Sequence, residues 1–535
     1  MPEHYRALIV ILVLATIVFA FAKGPVTAIA MTTEDFVRRR NAWYFVTLAG
    51  FLSPHFWIFI FITGVFLFFA IKKERNLIAL FFFLILALPP TGVELPGFGG
   101  IRYFFEFNFL RLLSLLILLP ACRIGRLKAR TQEYTKILLT TDAVLSIYIA
   151  LNIALIAPND SFTGLIRDII YWTVDVVIPY YAISRYLKDF KYFREVLASF
   201  VLAAMISSSV AVVEFLRQWL LYSGLSEFWS PSPLSTYILR GENLRANASS
   251  GNAIVLGYVV AVAIGFYLSF NNLHLHRLGR FSGFVLLIAG AIAPLSKGPW
   301  VGLLVIILLY SALSQKRLAN AIKFVALTPP VVFLLLSTDT GTRLVDYLPF
   351  FGSLDEGSVN YRTQLLESSL TIIYNNPLFG TSDYLVHLEH MRQGQGIIDL
   401  VNTYLVIALN TGLIGLGLFI AFFILILIGI LGAMRKLHPK SDQYCLGQSL
   451  FSVLAGILVI IFTVSPISHI PLLLWSVSAL GVAFFSNQID LKSGHPNIVS
   501  NIESRTFSRK VSGQELTRTS PYSNSNSNGQ RVPRE

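Results

Sequence analysis

The sequence predicts an all-α polytopic membrane protein, and three observations carry that prediction. Of 535 residues, 55% are hydrophobic and only 13% are charged, whereas soluble chains usually hold about a quarter charged residues. The apolar residues fall in blocks of about 18–22, the length a helix needs to cross a bilayer core. Short basic or polar stretches separate the blocks. In water they would expose more apolar surface than a fold could hide, which excludes soluble enzyme folds for most of the chain. The low charge density also excludes a nucleic-acid binder, despite a formal net charge of +13.

Hydropathy and boundary residues place about 12–14 transmembrane helices. They fall at 7–22, 53–71, 77–88, 103–121, 137–157, 164–184 and 195–221, then 253–270, 281–294, 299–313, 319–337, 402–433, 445–464 and 471–486. Putting the N-terminus inside gathers the cations into cytoplasmic connections: Lys72-Lys73-Glu74-Arg75, then Arg123, Arg126, Lys128 and Arg130. Arg185, Lys188, Lys191 and Arg194 follow, then Arg277, Arg280, Lys316-Arg317 and Arg435-Lys436. Arg38-Arg39-Arg40 breaks the trend in the first outer loop. The bias explains much of the net charge.

Ala20-Phe21-Ala22 resembles a signal-peptide cleavage site, but removing 7–22 would put the basic loops on the wrong side, so this stretch is expected to stay. The chain divides into N-terminal membrane helices over 1–239 and a core over 240–433 that includes an outer loop at 338–401. C-terminal membrane helices fill 434–486, and a basic, Ser- and Asn-rich tail over 487–535 reads as disordered and cytoplasmic. Cys122 and Cys445 lie near cytoplasmic helix ends, so no disulfide is expected to brace the outer side. No metal or nucleotide motif is visible.

Two outer connections stand out for length, 222–252 and 338–401. A loop of about 60 residues between membrane helices is uncommon without a function. The second should contain a helix over 358–374, stopped by Asn375-Asn376-Pro377. At about 100° per residue, Leu365, Leu366, Leu370 and Ile373 share one face, and Arg362 points into its middle. Either the guanidinium holds an anion at the membrane boundary, or it snorkels to lipid headgroups. Arg245 before the eighth span, and Lys297 in Ser296-Lys297-Gly298-Pro299, are candidate ligands or helix-end anchors. Asp399, Asn402, His387 and His390 gather at the end of the long loop, where Asp399 could simply cap the next span. Asp175, mid-span, must face protein or water.

These residues resemble a known family. Val401-Asn402, followed after nine residues by Gly412-Leu413-Ile414-Gly415, is similar to the H-[NSQ]-x9-G-x-x-G element of the O-antigen ligase and Wzy-type polymerase superfamily. Arg362 with Asn376-Pro377-Leu378-Phe379-Gly380 resembles that family's R…hP-L-x-G stretch. Ser296-Lys297-Gly298 resembles its S-[RK]-G element, and Arg245 ahead of Gly257-Tyr258 its earlier arginine. The ordered matches run over about residues 240–430.

The resemblance implies a glycosyltransferase of the bacterial inner membrane, acting at the periplasmic face on glycans carried by undecaprenyl pyrophosphate. A polymerase would extend exopolysaccharide or O-antigen repeats; a ligase would move the glycan onto lipid A–core. It implies no cofactor and no catalytic metal. Expected partners are the lipid-linked glycan, membrane lipid, and a flippase, chain-length regulator or export proteins. Arg245, Lys297 and Arg362 would clamp the departing pyrophosphate, with Asn402 beside the site. The family's histidine, a proposed base, is Val401 here, which cannot accept a proton. Asp399 is the nearest carboxylate, with His387 and His390 as alternatives on the loop. The missing histidine points toward a polymerase rather than a ligase. A lipid-linked oligosaccharide flippase and a non-catalytic export component are the rival classes. The long loop, the outward cations and the lack of a visible repeat favour the enzyme.

Overall fold

The computed structural model describes residues 2–97, 103–129, 136–158, 161–229, 237–270, 277–314, 356–392 and 398–490. The expected span at 319–337, the connection Lys316-Arg317, the loop up to 355 and the tail from 491 lie outside the described residues. The described chain is almost entirely helical. It opens with α1 (Glu3–Ile29), α2 (Thr33–Leu52), α3 (Phe56–Ala70) and α4 (Leu77–Leu84). A strand pair, β1 (Val93–Pro96) and β2 (Tyr103–Phe107), precedes α5 (Phe109–Leu113) and α6 (Leu119–Ala129), which a π turn at Ser114–Leu118 joins. Next come α7 (Lys136–Ile156) and α8 (Phe162–Tyr171), then a second π turn at Trp172–Val177, α9 (Ile178–Tyr186), α10 (Phe190–Arg217) and α11 (Ser223–Trp229). A short hairpin, β3 (Leu239–Arg240) with β4 (Asn243–Leu244), leads into α12 (Ala253–Leu268), α13 (Arg277–Ile292) and α14 (Lys297–Ala312). The rest is α15 (Glu356–Asn375), α16 (Tyr384–His387), α17 (Thr403–Met434), α18 (Asp442–Ile460) and α19 (His469–Asp490).

Seven of these helices are long and apolar enough to cross a membrane: α1, α3 with its extension to Lys73, α7, α10, α17, α18 and α19. α12 buries every residue from Val255 to Tyr267, as a helix apolar on all sides must when it forms the centre of a bundle. By contrast α1 and α3 leave Ile9, Val13, Phe61 and Phe69 exposed, an apolar exterior suited to lipid.

Polar contacts define the two ends of the bundle. At one end Trp219 Nε1 donates to Glu3 Oε1 at 2.6 Å, and His4 stacks on Phe228. At the other, Arg39 is wholly buried and donates to Glu74 at 2.6 Å and Glu195 at 2.8 Å, while Asn76 donates to Glu195 at 2.9 Å. Arg38 also donates to the Lys73 carbonyl. Three expectations are corrected here. The N-terminus shares an end with the 222–252 connection instead of lying opposite it. Arg38 and Arg39 sit beside Lys73 and Glu74, with the other basic connections, because α2 runs back along α1 as an element that hydropathy missed. The stretch 103–107, counted as the start of a span, is a β-strand; the helix begins at Phe109 behind an Asn108 cap.

Candidate active site

The site is built where the loop helix α15 meets the start of α17. The sequence expected a helix over 358–374, and α15 runs Glu356–Asn375. It buries Leu365, Ser369, Ile372 and Ile373, whereas Leu366 and Leu370 are exposed. The packed face is therefore rotated from the expected one. Arg362 stands a turn or two ahead of Ser369 on that face, and its side chain is exposed.

Asn402, not Asp399, caps α17: its side-chain oxygen accepts the N–H groups of Tyr404 at 2.9 Å and Leu405 at 3.3 Å. Asp399 stands before the helix, so the expected helical spacing between the two does not exist. The Val401 N–H donates to the Asp399 carbonyl at 3.0 Å and the Asn402 N–H to the Leu400 carbonyl at 2.7 Å, two successive three-residue turns. The Asp399 N–H donates to the Tyr361 hydroxyl at 3.1 Å, which ties the residue next to Arg362 to the turn. The Ser465 hydroxyl lies 2.7 Å from Asp399 Oδ1 and 3.0 Å from the Leu400 carbonyl. Thr403 anchors the same turn to the 461–464 segment, through its N–H to Ile461 and its hydroxyl to Val464. Asp399 is half-buried and Val401 buried.

About two and a half turns past its start, α17 breaks at Gly412. Gly412 adopts φ 65° and ψ −167°, a conformation that excludes side chains. The break frees the Leu413 N–H to bond the Pro377 carbonyl at 2.8 Å and the Ile414 N–H to bond Leu378 at 3.3 Å. In return the Thr381 N–H donates to Leu409 at 2.8 Å. A Cβ on Gly380 would stand 2.2 Å from the Leu409 carbonyl oxygen, and one on Gly412 would stand 2.2 Å from that of Leu378. The two glycine motifs of the sequence thus meet as one latch between loop and span.

Arg245 and Lys297 come together on a neighbouring turn. Arg245 Nε donates to the Pro294 carbonyl at 3.1 Å, the Ala246 N–H to Ala293 at 3.2 Å, and Arg240 to the Leu295 carbonyl. Lys297 opens α14 two residues after Leu295, which has φ 48°. A Cβ on Gly298 would stand 2.1 Å from Thr463 Oγ1, so this turn packs against the 461–465 segment that also holds Asp399. The histidines lie apart from the turn: His390 pairs with Ser368 at 3.3 Å, and His387 is exposed on α16. Arg392 hydrogen-bonds the Glu389 carboxylate and holds it below the usual carboxylate range.

One support of the candidate site, Glu214, escaped the sequence, and so did the partner of Asp175. Glu214, wholly buried near the end of α10, accepts the N–H groups of Leu221, Asn247 and Ala248 at 3.0, 2.9 and 2.8 Å. It thereby sets the backbone that follows Arg245. Its signal was available, since a carboxylate inside an apolar run needs partners. Asp175 finds its partner in Arg111, whose Nη2 lies 2.8 Å from Oδ2. Among the described residues no three His, Cys, Asp or Glu converge in a metal-holding group.

A loop helix latched onto a broken span, in a bundle of apolar helices, defines a multi-pass membrane protein. Residues 282–420 match the family model described as O-Antigen ligase. The segment contains Lys297, Arg362, Asp399, Asn402 and both latch glycines; Arg245 lies ahead of it. The match over that segment supports a likeness to the O-antigen ligase/Wzy-type superfamily. No characterised protein matches the chain.

Proposed function

We propose that this protein polymerises undecaprenyl-pyrophosphate-linked oligosaccharide repeats at the periplasmic face of the inner membrane. The observation that carries the reading is the tie between loop helix and span: Tyr361, beside Arg362, bonds the Asp399 turn, and Ser465 orients the Asp399 carboxylate. In the reaction the acceptor hydroxyl oxygen attacks the anomeric carbon of the donor glycan. The bond from that carbon to the pyrophosphate oxygen breaks, and undecaprenyl pyrophosphate leaves. Asp399 takes the hydroxyl proton, through one water or directly. Arg362, Arg245 and Lys297 carry the cations that meet the growing negative charge, an interaction stronger in the transition state than before it. Asn402 holds the helix start that fixes this geometry.

The matched family's description favours a second reading, ligation of a finished glycan onto lipid A–core. A deletion strain separates the two. Loss of a polymerase leaves single-repeat glycans on the outer face, and loss of a ligase leaves long unattached polymer. Accumulation of lipid-linked repeats on the inner face would instead indicate a flippase and refute both.

A further inference from the structure

Two cavities adjoin the Asp399 turn, and Arg245, Lys297, Arg362 and Asp399 line neither of them. The larger, about 350 Å³, lies between α7, the π turn at Trp172–Val177, α17 and α19. Its size is that of a small-ligand pocket. Aromatic rings of Tyr148, Trp172 and Trp475 face it, together with Asn152, Asp168 and Asn410. The smaller, about 240 Å³, lies between β2, α5 and the 466–472 segment, and takes polar groups from Glu106, Asn108, Arg111 and Ser468. Asp175, Pro466 and Pro471 line both. The larger cavity also receives Thr403, next to the α17 cap, and Pro466 follows the Ser465 that bonds Asp399. The cavities therefore lie directly beside the proposed base.

Asp175 is held at their seam. Arg111 grips it with Nε 3.2 Å from both oxygens and Nη2 2.8 Å from Oδ2. The guanidinium stands 4.1 Å over the Tyr171 ring, whose hydroxyl accepts the Glu106 N–H at 2.9 Å. Arg111 is itself placed by the Asn108 cap of α5. Both π turns occur here, and such bulges re-aim side chains within a helix.

We propose that these joined cavities bind the sugar of the acceptor glycan and present its hydroxyl to Asp399. This rests on the glycosyltransferase reading given above. A sugar ring has an apolar C–H face, which packs on aromatic rings, and a rim of hydroxyls that both donate and accept. Carboxylate, guanidinium and amide groups around aromatic rings match that chemistry. A prenyl chain offers no hydrogen-bonding atoms to the carboxylates and amides that line the cavities. A pyrophosphate would meet three carboxylates of its own sign, Glu106, Asp168 and Asp175. Asp175 acts as a sugar-binding residue and Arg111 as the residue that positions it.

The test uses purified full-length protein in nanodiscs. It is titrated with the water-soluble oligosaccharide that mild acid releases from the lipid-linked glycan accumulated in a deletion strain. Tryptophan fluorescence reads binding, because Trp172 and Trp475 line the larger cavity. The oligosaccharide should bind the wild type saturably, and Asp175→Asn and Asp168→Asn should each weaken it about tenfold, the worth of one charge-assisted hydrogen bond. Asp168→Asn leaves the Arg111 pair intact, so it decides the matter if Asp175→Asn does not fold. Arg245→Ala should bind the oligosaccharide like the wild type while losing transfer. Unchanged oligosaccharide affinity in the folded Asp variants overturns the acceptor site and leaves the transferase reading standing. A response to farnesyl phosphate but not to oligosaccharide overturns it in favour of a prenyl slot. If no lipid-linked glycan accumulates on deletion, the transferase reading itself fails and the acceptor site falls with it.

Discussion

Asp399→Asn separates chemistry from architecture, because the structure shows what the substitution leaves in place. The Asp399 N–H that bonds Tyr361 is backbone and survives. Asn retains an oxygen for the Ser465 hydroxyl, now 2.7 Å from the carboxylate. The α17 cap is untouched, since Asn402 makes it. What is lost is the charge on one hydrogen bond, about 1 kcal/mol of stability by the difference between charged and neutral acceptors. Ser465→Ala removes that bond altogether, with the contact to the Leu400 carbonyl, and should cost about 1–3 kcal/mol. If the carboxylate is the general base, however, Asp399→Asn should slow transfer by about 10²–10⁴, or about 2.7–5.4 kcal/mol of barrier. Ser465→Ala should slow it less than about tenfold. The assay is conversion of the accumulated lipid-linked glycan in proteoliposomes, with thermal melting of the same preparations. Equal rate losses in the two variants would show that the 399–465 contact is structural and that the proton goes elsewhere.

Four further outcomes are expected. Arg245→Ala and Arg362→Ala should each cut transfer at unchanged protein abundance, with Arg362→Lys a partial rescue because an ammonium lacks the bidentate fork; normal transfer in both alanine variants would favour headgroup snorkelling. Gly412→Ala should destabilise the protein by at least about 1–3 kcal/mol, from backbone strain alone, and protease sensitivity near 377–381 should rise as the latch opens. Glu214→Gln should cost about 1–3 kcal/mol, because an amide cannot accept all three N–H groups, and the loss should show in a lowered melting temperature together with reduced transfer. In a Cys122→Ser, Cys445→Ser background, cysteines at Pro2 and Glu242 should both react with an impermeant thiol reagent from the periplasm, while one at Lys440 should react only after the membrane is breached; labelling of Pro2 and Glu242 from opposite sides would refute the shared end.

What the sequence made legible follows from what hydropathy and local chemistry measure. The long apolar spans were visible because each buries or exposes a nearly unbroken apolar surface, as α12 and α1 show. The loop helix was visible because Asn375-Asn376-Pro377 can end a helix in only one way. By contrast α2 carries Glu34, Asp35 and three consecutive arginines, which lower its hydropathy below any threshold for a span. Those charges are neutralised by partners far away in the chain: Arg39 is matched by Glu74 and by Glu195, 156 residues on. No window of sequence contains that pair. The break at Gly412 was equally invisible, since an apolar composition says nothing about φ. The residues proposed for the site, Arg245, Lys297, Arg362 and Asp399, were singled out by type and position. The support of that site, Glu214, and the Arg111–Asp175 pair depend on contacts between separate helices.

The replacement of the family's histidine by Val401 is easier to understand from the backbone than from the residue itself. A helical start at 399 would have put Asp399 and Val401 on different sides of α17. Instead the chain folds back twice between Asp399 and Asn402, with hydrogen bonds of 3.0 and 2.7 Å closing the turns. Two residues in such a turn advance the chain very little. Val401 is buried, whereas Asp399 is half-buried and already bonded to Ser465. A carboxylate is also acceptor-only when ionised, so the Ser465 hydroxyl fixes one oxygen and leaves the other with lone pairs to offer. A histidine needs its second nitrogen held to select its tautomer; a carboxylate needs no such choice. On the proposed reading, moving the base two positions back asks only for a short acidic side chain and a hydroxyl to aim it, which Asp399 and Ser465 are placed to provide.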